Sequence, residues 1–499
     1  MSASRGLIKA MLVIGSAQAV NILISIIRMK VLAVLLGPSG VGLLSIYSSL
    51  QGMVTQIAGL GMGSSGVREI AAARGEEATL SRVRRVLFAA HLVQGTLAML
   101  AVWLLRDQLA IWLFGDEKRA AEVGLIGVAI LFALLGAAQI ALLQGLRRIG
   151  DLGRVTVLGA FMGSVAGLAA VWVQGEGGLI WFILVQPLVA FLIALNYTRR
   201  LPKPTAAHLS LVEIWDIWKP MAKLGAAFML GGLATAATLL LVRGRISQEL
   251  GLDAAGHFAA AWGITMTYVG FLLGAMGADY YPRLTEVIQD KVAAVRLMND
   301  QAQLGLAIGG PVLLLLIGLA PWLITLLYSA EFGPAVTLLQ WQTVGNVFKL
   351  ASWAMSFSIV AAARPKTYFF MELSFNIVFL GMVLILLPRV GLEVTAYAFA
   401  LGYLIYLNTV YILVRRIHGF RWQALSLGLL GLHASLAVGL LVLALIVPLA
   451  AALASPLLAA ATGLFGLRVV LVKIGPKGRL ASRLARLYAS IGWPIHSTK

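Results

Sequence analysis

Cysteine is absent from all 499 residues, which removes disulfides, thiolate catalysis, cysteine-ligated zinc and iron–sulfur clusters. Charge is scarce as well. Asp, Glu, Lys and Arg make up 12% of the chain, against about 25% in a typical soluble protein. Acids are the scarcer sign, 20 against 39 Lys and Arg, and no carboxylate pair of the kind used in glycosyl chemistry falls within one membrane face. The six His (His91, His208, His257, His418, His433 and His496) form no i, i+4 pair and no HExxH motif. Neither a metal site nor a cofactor is therefore expected, and His91 and His433 read as buried, hydrogen-bonded residues. Long loops are missing too: none much exceeds about 25 residues, so no catalytic domain fits outside the apolar region, and the chain reads as a non-enzyme.

What remains is apolar. Hydrophobic residues make up 60% of the chain, and a bilayer core needs about 20 mostly apolar residues per helical span. Fourteen such stretches follow one another, at 7–36, 42–63, 86–105, 121–145, 155–174, 178–196, 222–243, 256–277, 302–327, 334–361, 367–387, 393–414, 424–448 and 452–472. The fold class is an all-α polytopic membrane protein. Ala17-Gln18-Ala19 resembles a signal-peptidase site, but the apolar run before it is short and continues to Ile27, so this segment reads as an ordinary span.

The net charge of +19 is scattered in small groups between spans, which fits membrane topology better than a nucleic-acid partner. Of the 39 Lys and Arg, 29 lie on the side that holds both termini. Six lie on the other side (Arg106, Lys118, Arg119, Arg243, Arg245, Arg389) and four within spans (Arg28, Lys30, Lys349, Arg468). The positive-inside rule then places both termini in the cytoplasm. Three cytoplasmic segments, Arg68–Arg85, Leu209–Trp218 and Arg283–Asn299, read as helices lying on the membrane surface.

The chain also resembles itself. Leu36-Gly37-Pro38-Ser39-Gly40-Val41-Gly42 aligns with Leu250-Gly251-Leu252-Asp253-Ala254-Ala255-Gly256 at an offset of 214, where Gly61-Met62-Gly63 falls on Ala275-Met276-Gly277. Two six-span copies in the same orientation, related by pseudo-two-fold symmetry, are expected, as in carriers whose cavity lies between two lobes. The divisions are an N-lobe at 1–200, a C-lobe at 201–416, an added helix pair at 417–474 and a basic cytoplasmic tail at 475–499. Gly61-Met62-Gly63-Ser64-Ser65-Gly66 matches GxGxxG, but no strand precedes it, so its glycines read as close helix packing.

Ionisable groups inside a span cost about 2.5–3.5 kcal/mol on insertion scales and are functional candidates. Gln18, Asn21, Ser25 and Arg28 share one face of the first span, and Gln342, Asn346, Lys349 and Ser356 share one face of the tenth. Arg243 and Arg245 end the seventh as surface charges or a cavity rim. Glu372, the intramembrane acid, is placed to pair with a cation or to bind a coupling proton. A cavity of amides, hydroxyls and cations suits an anionic ligand, with Arg and Lys for phosphate and Asn and Gln for sugar hydroxyls.

Three stretches carry a family resemblance: Lys30 to Gly42, Tyr280-Tyr281-Pro282-Arg283-Leu284, and Trp341 to Lys349. They resemble the O-antigen and enterobacterial-common-antigen flippases of the multidrug/oligosaccharidyl-lipid/polysaccharide exporter superfamily, over roughly residues 5–416. The resemblance implies export of an undecaprenyl-diphosphate-linked oligosaccharide across the bacterial inner membrane by alternating access. It also implies a monomer among membrane lipids, working with a polysaccharide polymerase and chain-length machinery. Family members often have twelve spans, so the last pair departs from the pattern. A multidrug exporter and a membrane polysaccharide polymerase or ligase are the alternatives. The first would want cavity acids, and the second a large outer loop.

Overall fold

The computed structural model describes residues 2–202, 209–475, 479–490 and 492–495; His208 and His496 lie outside them. Fifteen α-helices follow in order among the described residues: α1 Ser2–Gly59, α2 Met62–Ala72, α3 Glu77–Leu104, α4 Arg106–Phe114, α5 Ala120–Gly145, α6 Ile149–Gln174, α7 Gly178–Thr198, α8 Leu211–Val287, α9 Lys291–Leu327, α10 Ala335–Ala361, α11 Pro365–Val390, α12 Val394–His418, α13 Ala424–Ile446, α14 Pro448–Ile474 and α15 Arg479–Ser490. No strand occurs among them, as expected where lipid leaves every backbone group to be satisfied within its own helix.

Among the described residues ten helices are long and apolar enough to cross a membrane, and Gly232–Gly274 with Asp279–Val287 forms a further, bent candidate. Gly15–Gly59 has 45 residues and Ile149–Thr198 has 50, and at about 20 residues per pass each holds two crossings. The first divides at Gly37, with φ 63° and ψ −165°, and the second at the 3₁₀ turn Gly175–Gly177. Within α8 the break is Gly251, with φ 85° and ψ 174°. Counted this way, fourteen crossings result.

The surface helices differ from expectation. Arg68–Arg85 is not one helix: α2 ends before Gly75, whose φ is 92°, and α3 begins at Glu77. Of Leu209–Trp218, the part from Leu211 onward is the first part of α8 and continues into its span. Arg283–Asn299 divides at Asp290, whose carboxylate accepts from the Val292 and Ala293 amides at 2.9 and 3.1 Å and so caps α9. Helix α4 occupies a stretch read as outer loop, and the tail contains α15.

The chain divides into two compact units. Unit 1 comprises Met1–His257 with Leu327–Glu331, and unit 2 comprises Phe258–Leu326 with Phe332–Lys499. In unit 1, α6 packs on α7, α3 and α7 pack on α5, and α1 packs on α6. Met62, Ile70, Val86, Leu142, Leu143 and Met221 belong to a core at one end of this unit. In unit 2, α10 and α11 pack on α12, and α13 packs on α10 and α14.

Candidate functional site

Helix α1 carries the first polar stripe. Gln18 is exposed, while Asn21, Ser25 and Arg28 are half-buried. The Arg28 guanidinium stands over the Phe182 ring of α7 at 5.7 Å. Its Nε is buried without a hydrogen-bond partner. A ring face offsets only part of the cost of holding a cation away from water, typically 0.5–2 kcal/mol. Arg28 thus retains capacity for an anion.

The two arginines of α8 are more committed. Arg243 donates to the Ser45 carbonyl at 3.0 Å and to the Ser49 hydroxyl, which ties α8 to α1 just past its break. Arg245 pairs with Glu249 one turn on, at 2.6 Å. Lys30 donates to the Tyr328 carbonyl.

Those contacts flank a crossing at the aligned glycines, all within unit 1. A Cβ on Gly42 would overlap the Leu252 carbonyl, and one on Gly256 would overlap the Pro38 carbonyl. At an offset of 214, Gly42 corresponds to Gly256 and Pro38 to Leu252, so the two collisions are one contact made reciprocally. Gly61 and Gly225 approach backbone to backbone in the same fashion.

In unit 2 the second stripe gathers into a cluster. The Lys349 ammonium lies 5.0 Å from the centre of the Tyr403 ring and 3.7 Å from the Met266 sulfur. Glu372 is its electrostatic neighbour. The Tyr406 hydroxyl donates to the Glu372 carboxylate at 2.5 Å, and the Asn376 amide donates to the Glu372 carbonyl at 2.9 Å. One and two turns before Lys349, Asn346 and Gln342 are buried. Gln342 accepts from Thr265 at 2.9 Å, while its own Nε2 and the Asn346 Oδ1 are without hydrogen-bond partners. Buried amide groups left so cost about 1–3 kcal/mol each. That cost marks them as groups with capacity for a polar ligand.

Within unit 2 the structure thus brings together Gln342, Asn346, Lys349 and Glu372, and within unit 1 it aligns Gln18, Asn21, Ser25 and Arg28. Phe182, Tyr403, Tyr406 and Thr265 belong to neither polar stripe, so the polarity pattern of the spans does not single them out. A signal existed: Phe399, Tyr403 and Tyr406 recur at helical spacing. Among the described residues no cluster of His, Asp and Glu could hold a metal ion. His91 Nδ1 lies 2.8 Å from the Leu87 carbonyl and His433 Nδ1 lies 2.9 Å from the Leu429 carbonyl, both rings buried.

A family model described as a polysaccharide biosynthesis protein matches residues 31–337. The lipid III flippases of Escherichia coli (strain K12) and Shigella flexneri are each 25% identical over 424 residues, covering 82% of this chain and 99% of theirs. Among solved structures, the lipid II flippase MurJ in an inward closed conformation aligns with a TM-score of 0.68 at 14% identity, covering 92% of this chain and 98% of that one. An inward-facing multidrug resistance MATE family transporter of the MOP superfamily aligns with a TM-score of 0.66 at 16% identity, covering 80% and 94%. At these identities the likenesses to solved structures establish the fold.

Proposed function

Because the chain belongs to the polysaccharide biosynthesis protein family, we propose that it is a flippase moving a diphosphate-linked lipid oligosaccharide to the outer leaflet of the bacterial inner membrane by alternating access. The observation that carries this reading is the state of Arg28: a half-buried cation inside a span, stacked on Phe182 and with its Nε lacking a partner. The similar chains are lipid III flippases, and a diphosphate is the ligand chemistry such a cation serves best.

In this mechanism Arg28 is the diphosphate-binding cation of unit 1 and Lys349 that of unit 2, and in each unit the neighbouring amides and hydroxyl, Gln18, Asn21 and Ser25 or Gln342 and Asn346, meet sugar hydroxyls. Arg243 and Arg245, already held within unit 1, form the outer rim. Glu372 acts as the switch. A proton on its carboxyl leaves Lys349 with its full charge for the anion, and its loss draws the ammonium toward the acid and weakens that hold. Outward movement of an anion across an inside-negative membrane gains about 2.3 kcal/mol per charge per 100 mV. The two copies at 1–200 and 201–416 supply the alternating element, with both termini in the cytoplasm and the pair at 417–474 added to it.

The multidrug-exporter reading has structural likeness behind it, but a cationic drug wants acids, and the candidate residues include one, Glu372. The test is delivery of lipid-linked glycan to the outer leaflet, scored by complementation in strains lacking defined flippases. Arg28→Ala and Lys349→Ala abolish delivery at unchanged membrane abundance. Full activity in both variants would sink the assignment.

A further inference from the structure

A cavity of about 230 Å³ lies within unit 1, is lined by none of the polar-stripe residues, and is bounded by α2, α3, α5 and α7. Its rim carries Arg84 and Arg85, its walls include Leu87, Leu142 and Leu195, and Gln139 also lines it. No acid lines it.

The two arginines have different tasks. Arg84 donates to the Thr198 carbonyl at 3.3 Å and the Pro202 carbonyl at 2.9 Å. It therefore covers the last carbonyl of α7 and one just beyond the helix, whose partial negative charge would repel an anion at this rim. With that charge offset, Arg85 adds a further positive charge beside the opening. The Thr198 hydroxyl donates to Gln139 at 2.7 Å, which fixes that amide. The surrounding walls belong to the tightly buried core that includes Ile70, Val86 and Leu142, so the cavity is held open by rigid packing. Apolar walls of this kind gain dispersion contacts from an apolar chain, and in a bilayer that chain is a lipid tail.

We propose that this cavity binds an anionic phosphate amphiphile of the cytoplasmic leaflet, its tail between Leu87, Leu142 and Leu195 and its phosphate on Arg85. Two sources share that chemistry, an anionic glycerophospholipid and a polyprenyl diphosphate. The site uses none of the residues assigned to transport. It is read by binding alone, so failure of the transport test and failure of this one are separable.

The experiment is native mass spectrometry of the full-length protein with dioctanoyl-phosphatidylglycerol, dioctanoyl-phosphatidylcholine or farnesyl diphosphate. Expected is binding of at least one anionic probe about tenfold tighter than the choline lipid. Arg85→Gln reduces that preference to about twofold or less, Arg85→Lys restores most of it, and Ala138→Leu, which fills the cavity, weakens every probe. A preference for phosphatidylglycerol assigns the site to a bulk leaflet lipid, and a preference for farnesyl diphosphate alone assigns it to a carrier lipid. Equal binding of all three, or an anionic preference that survives Arg85→Gln, overturns the proposal. If Ala138→Leu fails to fold, the Arg85 pair decides.

Discussion

Lys349 and Glu372 lie among aromatic rings on three helices of unit 2, where neither charge is easily given up alone. The Lys349 ammonium contacts the Tyr403 ring and the Met266 sulfur and senses Glu372 at longer range, so removing either charge should cost less than the about 3–5 kcal/mol typical of a directly bonded buried pair, on the order of 1–2 kcal/mol. Lys349→Met is therefore expected to lower thermal stability in detergent by that order. Glu372→Gln keeps an oxygen for the Tyr406 hydroxyl and is expected to cost less. The double variant should be more stable than the sum of the singles by at least about 1 kcal/mol, the coupling a double-mutant cycle reads. Simple additivity would show that the two charges do not sense each other. Arg28→Lys belongs to the same scale. It keeps the charge but loses the planar group stacked on Phe182, so glycan delivery should fall several-fold without the complete loss expected of Arg28→Ala.

Among the helices, the glycines separate two physical effects. Gly37 and Gly251 adopt a backbone region open essentially to glycine alone, and a Cβ on Gly251 would meet no atom within 4 Å. Gly251→Ala thus pays for strain alone, about 1–3 kcal/mol. Gly256→Ala has an ordinary helical backbone but drives a methyl into the Pro38 carbonyl, and α1 or α8 must move. It should lower the melting temperature at least as far, while Gly428→Ala, with open space around it, should leave it unchanged or raise it.

The start of α8 supplies a pH test. The Ser210 amide and hydroxyl donate to the Glu213 carboxylate at 2.8 and 2.9 Å, and the Glu213 amide donates back to the Ser210 oxygen at 3.2 Å, a reciprocal cap. The Ser210 backbone and side-chain bonds hold the Glu213 carboxyl below its ordinary value, with Arg82 adding to the effect. A depressed carboxylate contributes stability that is present above the unfolded value, near 4.3, and is lost as pH falls through the folded one. Amide exchange over the first turn of α8 should accelerate, relative to α9, once pH falls below about 4. Ser210→Ala should flatten that response.

The crossings were legible in the sequence because lipid enforces them, about 20 apolar residues at a time. Helix α4 was not, since Arg106–Phe114 is too short to span and reads as a loop between two crossings. Nor was the α8 cap, although Ser210-Leu211-Val212-Glu213 carries its signature. The candidate residues are legible as polar or charged groups recurring on one face of an apolar span. Their surroundings, Phe182 for Arg28 and Tyr403 for Lys349, depend on contacts between distant helices, and no local pattern records those.

At the scale of the whole molecule, the direction of export rests on topology, and topology rests on how the basic residues are shared between two faces. Twenty-nine of the 39 Lys and Arg fall on one side, an excess that sets orientation because short basic loops resist translocation. If that side is cytoplasmic, an anionic lipid-linked substrate moves outward with the membrane potential. If it is external, the same cations would serve import. The absence of cysteine makes the question accessible, since a single introduced thiol is a unique label. Lys118, with 86% of its side chain exposed, is assigned to the outer face, and Arg283, 60% exposed, to the cytoplasmic face. Lys118→Cys should react with a membrane-impermeant maleimide in intact spheroplasts, and Arg283→Cys only after permeabilisation. Both variants lie outside the transport residues and should retain glycan delivery, so the labelled protein is the working one. The opposite labelling pattern would invert the topology and, with it, the outward direction proposed for the substrate.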